Sequence, residues 1–210
     1  MTTGSLREKK KAQARARILV SANQLIRGRG YAQTTMREIA ASAEVSYQTL
    51  YNYYPTKGEI LFQLLRTQVE DISAAYANLL QSFEGGLLEA LDELCRLALA
   101  TLINDDRALW RIALVELLDQ DRGAGKVLEL LDTAAQRVLE DLLRSARDTG
   151  ELTPAASIPL LGATLYDLMD YAAVRLLLDP EARLDERLEN LAARLRVVVS
   201  PYLMPELKTQ

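Results

Sequence analysis

Residues 46–53, Ser-Tyr-Gln-Thr-Leu-Tyr-Asn-Tyr, carry hydrogen-bonding side chains at every position except Leu50. Hydroxyls, amides and aromatic rings packed this closely suit the base edges and phosphates of a nucleic-acid groove better than they suit plain solvent. Catalytic chemistry is poorly served elsewhere. The chain contains no histidine, so a Ser-His-Asp triad or a histidine acid–base is excluded. With a single cysteine, Cys95, an internal disulfide is impossible and a zinc site has too few soft ligands. No metal, no cofactor and no enzymatic activity are expected.

Short elements must position that cluster. Met36, Ile39, Ala40 and Ala43 recur at helical spacing and predict a short helix before it. Thr34 or Thr35 can cap this helix, with Glu38 completing a capping box. After a turn at 43–45, Ser46 is the natural N-cap of the next helix, which Val45, Leu50 and Tyr54 would anchor. Tyr51 reads either as a groove contact or as a core aromatic, Tyr54 as core, and Asn52 as a contact or a solvated helix residue.

Charge separates this region from the rest. The net charge is −4, yet residues 1–60 hold ten Lys/Arg against four acids, a net +6. The other 150 residues hold fifteen against twenty-five, a net −10. A basic head on an acidic body is the footprint of a polyanion-binding module attached to a non-binding one. The alternative is that the basic N-terminus only aids solubility.

The remaining pattern is helical throughout. Residues 1–8 read as a flexible arm, followed by a helix over 8–27 whose stripe is Ile18, Ala22 and Leu25, ended by Gly28 and Gly30. Pro55 and Thr56 stop one helix and cap the next, expected over 57–82. Further helices are expected over 87–104, 107–120, 126–149, 154–178 and 184–199, with Gly123 and Gly125 as punctuation and Pro159 as an interruption. No segment alternates with period two, so the fold class is all-α, with about nine or ten helices. No apolar run is long enough for a membrane span, and residues 1–17 lack a signal-peptide core, so a cytoplasmic protein with no membrane partner is expected.

The string Ile18-Leu19, Ala22, Gly30-Tyr31, Thr34-Thr35, Ile39-Ala40, Ala43, Val45-Ser46, Thr49-Leu50-Tyr51, Tyr53-Tyr54, Lys57, Leu61 resembles the DNA-binding domain of TetR-type transcriptional regulators. The resemblance spans residues 12–72 and implies a three-helix helix-turn-helix head joined to a helical-bundle body, 73–205, for ligand binding and dimerisation. It implies a homodimeric repressor on a double-stranded palindromic operator, released by a small molecule. A related alternative is an architectural DNA-binding factor without small-molecule control. By this resemblance Tyr47, Gln48 and Thr49 face bases, with Arg37 reaching a base from the preceding helix. Thr35, Tyr51, Tyr53 and Lys57 match phosphate-contacting positions, and Thr34, Ser46 and Asn52 complete the candidate DNA-binding set. Glu44 and Gln48 depart from the pattern, standing where many members have glycine.

In the body, Leu184, Leu188, Leu191, Leu195 and Val198 form a 3.5-residue seam. With Leu165, Leu168 and Ala172 on the preceding helix they are the candidate dimer face, two helices from each subunit. The alternative is that both stripes pack within the chain. Tyr76, Cys95, Trp110, Tyr166 and Met169 are candidate ligand contacts, though each also suits ordinary core. Glu116 and Asp170 interrupt apolar stripes. As buried acids beside aromatics they would suit a cationic lipophilic ligand; facing solvent or paired with arginine, they would not.

Overall fold

The computed structural model describes residues 3–82, 86–104, 107–118 and 122–205. Among them the chain forms helices α1 (Thr3–Arg29), α2 (Met36–Ser42), α3 (Tyr47–Tyr53), α4 (Lys57–Ser82), α5 (Leu87–Asn104), α6 (Arg107–Leu118), α7 (Arg122–Asp148), α8 (Ile158–Leu178) and α9 (Leu184–Val199), then a 3-10 turn at Ser200–Tyr202. The fold is all-α. Two compact units form, one of Met1–Thr67 with Ile112–Leu128 and the other of Gln68–Arg111 with Glu129–Gln210.

In the first unit α1 packs on α2 and α2 on α3. Ile18, Ala22, Ile26, Ile39, Ala40, Leu50, Tyr54, Ile60 and Leu61 are among its buried side chains. Helix α1 begins at Thr3, so the segment expected to be a flexible arm is helical from that residue on. Its Arg, Glu, Lys, Ala and Gln are strong helix formers, and their summed propensity outweighs the unfavourable cations at the start.

In the second unit α5, α8 and α9 pack against one another. Helix α8 buries Ile158, Leu161, Leu165, Met169, Ala172, Leu176 and Leu177. It starts at Ile158, four residues later than the pattern implied, because Pro159 lies in its first turn, where the missing N–H is harmless. Conversely α7 absorbs Gly123 and Gly125. The carbonyls at the C-terminal end of α8 are covered by Arg107, which donates to the carbonyls of Leu176, Asp179 and Pro180. A guanidinium there satisfies orphan carbonyls and complements the helix dipole. The segment after α9 returns to the end of α7: Thr153 N donates to Tyr202 O and Met204 N to Glu151 O, both at 2.8 Å.

In the 3.5-residue seam on α9, two of the five side chains are core of their own chain. Leu191 and Leu195 are buried, as are Leu165 and Ala172 on α8. Leu168, Leu184, Leu188 and Val198 are half-buried. A periodic stripe shows that a helix face is covered but not by what; here α5 and α8 do the covering. The apolar side chains left outside on these two helices are Leu160, Tyr171, Leu178 and Val197, which are 69%, 53%, 49% and 75% exposed.

Candidate nucleic-acid interface

The helix-turn-helix is built by short-range hydrogen bonds. Thr35 caps α2: Glu38 N donates to Thr35 Oγ1 at 3.2 Å, and Glu38 Oε2 accepts from Thr35 N and Thr35 Oγ1, each at 2.9 Å. The backbone and side-chain bonds from Thr35, with the Arg29 guanidinium beside them, hold the Glu38 carboxyl below its ordinary pKa. Ser46 caps α3, accepting from Thr49 N at 3.0 Å. Both caps are where residue type placed them.

The turn between the helices is a Schellman motif. Val45 N donates to Ala40 O at 3.0 Å and Glu44 N to Ala41 O at 3.2 Å. The residue after the cap must then be left-handed, and Glu44 has φ 53°. The same motif ends α7, where Glu151 N meets Ala146 O, Gly150 N meets Arg147 O, and Gly150 has φ 81°. One chain thus uses glycine at one such position and glutamate at the other. The Glu44 carboxylate lies 3.8 Å from the Arg17 guanidinium, with both side chains largely exposed. An exposed pair of that length contributes little, whereas a left-handed side-chain-bearing residue costs about 1–2 kcal/mol. Glu44→Gly is therefore expected to stabilise the chain by about 1 kcal/mol and raise Tm by about 2–4 °C in a thermal melt.

Leu50 fixes the inner face of α3 and Tyr54 follows it into the core, where burial pushes its phenol pKa up. The outer face is open. Tyr47 and Tyr51 are 48% and 47% exposed, and their rings stack with centroids 6.4 Å apart. Gln48 Nε2 donates to Asn52 Oδ1 at 2.9 Å, and the Ser46 and Thr49 hydroxyls lie 2.8 Å apart. Arg37 on α2 is exposed. Tyr53 is half-exposed with the Arg15 guanidinium 5.3 Å over its ring. Arg15 was missing from the candidate set, although its spacing from Ile18 and Ala22 places it on the inward stripe of α1.

Two candidates point elsewhere. Thr34 is buried and its hydroxyl donates to Gly30 O at 2.8 Å, so that side chain is a structural tie rather than a DNA contact. Lys57 turns inward: its ammonium donates to Tyr31 O at 2.6 Å and Thr34 O at 3.1 Å and lies 4.0 Å above the Tyr31 ring. It locks the segment before α2 onto the start of α4 and is not presented as a phosphate anchor.

All the candidate ligand contacts except Glu116, which belongs to the first unit, lie in the second unit. Tyr76, Cys95, Trp110 and Met169 are buried, and burial pushes the Cys95 thiol up to about 12. Tyr166 is half-buried against Asp132. Asp170 is on the exposed side of α8, where neighbouring groups still desolvate part of its carboxyl and, with Asp132 and Asp167, raise its pKa. It is not the buried acid expected for a cationic ligand. The Glu116 side chain lies outside the described residues. Two buried polar atoms, Gln68 Oε1 and Trp110 Nε1, have no protein partner among the described residues. An open groove of about 480 Å³ runs between α5 and α9, lined by Asp92, Cys95, Arg96, Leu188, Ala192 and Arg196. Among the described residues no His/Cys/Asp/Glu group could hold a metal, and no helix is long and apolar enough to cross a membrane.

The sequence profile described as bacterial regulatory proteins, tetR family, matches residues 18–64. No curated protein matches the chain. Among solved structures, the FadR of Thermus thermophilus, a TetR family transcriptional repressor in complex with lauroyl-CoA, is 31% identical; the match covers 93% of this chain and 98% of that one with a TM-score of 0.62. A putative transcriptional regulator from Saccharomonospora viridis in complex with choline is 23% identical, covering 88% and 96% with a TM-score of 0.65. The Bacillus subtilis regulator FadR in complex with stearoyl-CoA is 20% identical, covering 86% and 96% with a TM-score of 0.66. Profile, full-length likeness and the capped helix-turn-helix agree: the chain belongs to the TetR family of transcriptional regulators.

Proposed function

We propose that the chain is a homodimeric repressor that binds a palindromic operator and is released by a small molecule, with residues 12–72 as the DNA-binding head and 73–205 as the ligand-binding and dimerisation body. The observation that carries the reading is the outer face of α3. Tyr47 and Tyr51 are large rings half open to water on a helix otherwise anchored by Leu50, and Gln48, Thr49 and Asn52 lie beside them. Tyr47, Gln48 and Thr49 read bases, with Arg37 from α2. Thr35, Ser46, Tyr51, Asn52 and Tyr53 set register against the phosphate backbone. Pairing two such heads comes from the exposed face of α8 and α9, centred on Leu160, Tyr171, Leu178 and Val197, in place of the partly buried seam.

For the ligand, an acyl-CoA has the best support. The relative at 31% identity is a complex with lauroyl-CoA. The second unit also buries Trp110 and Gln68 with polar atoms for which the protein supplies no partner among the described residues. The ligand acts by preferring the state that does not hold DNA, and α4, which like α6 and α7 contributes to both units, is a continuous element through which the two are coupled.

Selecting bound duplexes from a random pool with the full chain tests the DNA reading. An inverted repeat with half-sites about 10 base pairs or more apart is expected, and no enriched sequence would overturn it. Titrating lauroyl-CoA into the selected complex should weaken it by about 5–150-fold. A change of less than about twofold at saturation favours DNA binding without small-molecule control.

A further inference from the structure

Helix α1 overshoots the head. Residues 7–13 are exposed on every side, Ala14 is half-buried, and from residue 7 on Ile18 is the first fully buried residue. The face that the helix turns inward over Ile18, Ala22 and Ile26 continues towards the N-terminus at the same spacing as Arg15, Lys11 and Arg7. The inward stripe therefore changes from apolar to cationic where the helix leaves the core. Arg15 marks where this happens: its guanidinium lies over the ring of Tyr53, the last residue of α3. The cationic stripe thus emerges beside the end of the helix that reads bases, on the side α3 occupies.

We infer that Arg7, Lys11 and Arg15 form a second, sequence-independent DNA contact, in which the overshooting part of α1 lies along the phosphates flanking each half-site. The inference rests on the proposed DNA-binding function. From Arg7 to Arg15 the helix advances about 12 Å, a length over which duplex DNA carries about seven phosphate charges. The arm has no apolar stripe beyond Ala14 and is thereby unsuited to a lipid surface. Glu8 is the one acid on this stretch, and its ion pair with Lys11, 3.1 Å long, is exposed. Such a pair is worth little and leaves the ammonium exchangeable for phosphate. Phosphate in the same place also relieves the unfavourable meeting of cations with the positive end of the helix dipole.

The test compares two full-length variants of equal charge change on a duplex of random sequence and on the selected operator. Arg7→Ala/Lys11→Ala/Arg15→Ala removes the stripe, and Lys9→Ala/Lys10→Ala/Arg17→Ala removes cations from the other faces. The stripe variant should bind both duplexes at least about tenfold more weakly and flatten the salt dependence by about 0.9 for each phosphate it no longer neutralises. It should leave the preference between operators unchanged and shorten the hydroxyl-radical footprint at its outer ends. The off-stripe variant should weaken binding by less than about threefold. Equal weakening in the two variants, or an unchanged footprint, overturns the assignment. Failure of the unaltered chain to bind the random duplex at low salt overturns it too. Binding to that duplex with no operator selected refutes the repressor reading and leaves the arm standing. Because Arg15 touches Tyr53, the Arg7→Ala/Lys11→Ala pair, which keeps that interaction, provides the same readout if the triple variant melts early.

Discussion

Replacing Leu160 and Val197 together by aspartate should convert the protein to a folded monomer and weaken operator binding by at least about 100-fold. Both side chains are mostly exposed in the single chain, 69% and 75%, so neither substitution removes core. In a two-fold dimer each residue is buried twice, once from each copy. Burying an unpaired polar group costs about 1–3 kcal/mol by mutational measures, centred near about 2 kcal/mol, and more for a charge. Four such burials come to about 8 kcal/mol, which weakens dimerisation by more than about 10⁵-fold. A monomer keeps one recognition helix and loses the second half-site. Light scattering coupled to size exclusion gives the mass, circular dichroism the helicity, and an operator titration the affinity. A variant that remains dimeric would show that the face carrying Leu160 and Val197 is not the interface. Leu191→Asp is the contrasting case. It buries a charge in the protomer core, because Leu191 is 2% exposed, and should unfold the chain rather than dissociate it.

That contrast also shows what the sequence could and could not reveal. The caps were legible because they are local: Thr35 with Glu38, Ser46 with Thr49, and Thr56, whose hydroxyl accepts from Glu59 N, each lie within three residues of their partner. The bounds of α4, α5 and α9 were legible for the same reason, since prolines and glycines punctuate them. The α9 seam was visible as a stripe, but its occupant was not, because periodicity holds no information about which chain covers it. Lys57 was misread for a related reason. Its partners, Tyr31 O and Thr34 O, are 26 and 23 residues away, and a lysine beside a DNA-binding helix looks the same in sequence whether it faces phosphate or carbonyl. Glu44 needed the backbone: only its φ and the paired hydrogen bonds showed a left-handed position that glycine fills at the end of α7.

Tyr47→Ala and Gln48→Ala should each shift the preference among operators by about 1–3 kcal/mol, whereas Lys57→Ala should leave that preference intact and lower stability instead. Gln48 and Asn52 now share a hydrogen bond at 2.9 Å, which presets the Gln48 amide on the exposed side of α3. A base edge replaces one amide partner with another, so the energy at stake is the discrimination between bases rather than the total affinity. Tyr47 stacks on Tyr51, so truncating it removes the proposed base contact and frees the ring beside it. Thr49 is tied to the Ser46 cap, so changing Thr49 also perturbs the start of α3 and makes it the poorer probe. Removing the Lys57 ammonium leaves the carbonyls of Tyr31 and Thr34 without that donor and costs about 1.5–3 kcal/mol, the range for a hydrogen bond to a charged group. The measurement is a competition assay over single-base operator variants, run well below the lowered Tm of Lys57→Ala. If Lys57→Ala instead leaves Tm unchanged while weakening every operator equally, its ammonium leaves those carbonyls for phosphate in the complex. If Tyr47→Ala and Gln48→Ala weaken all operators alike, α3 holds the backbone and the bases are read from elsewhere, with exposed Arg37 the next residue to substitute.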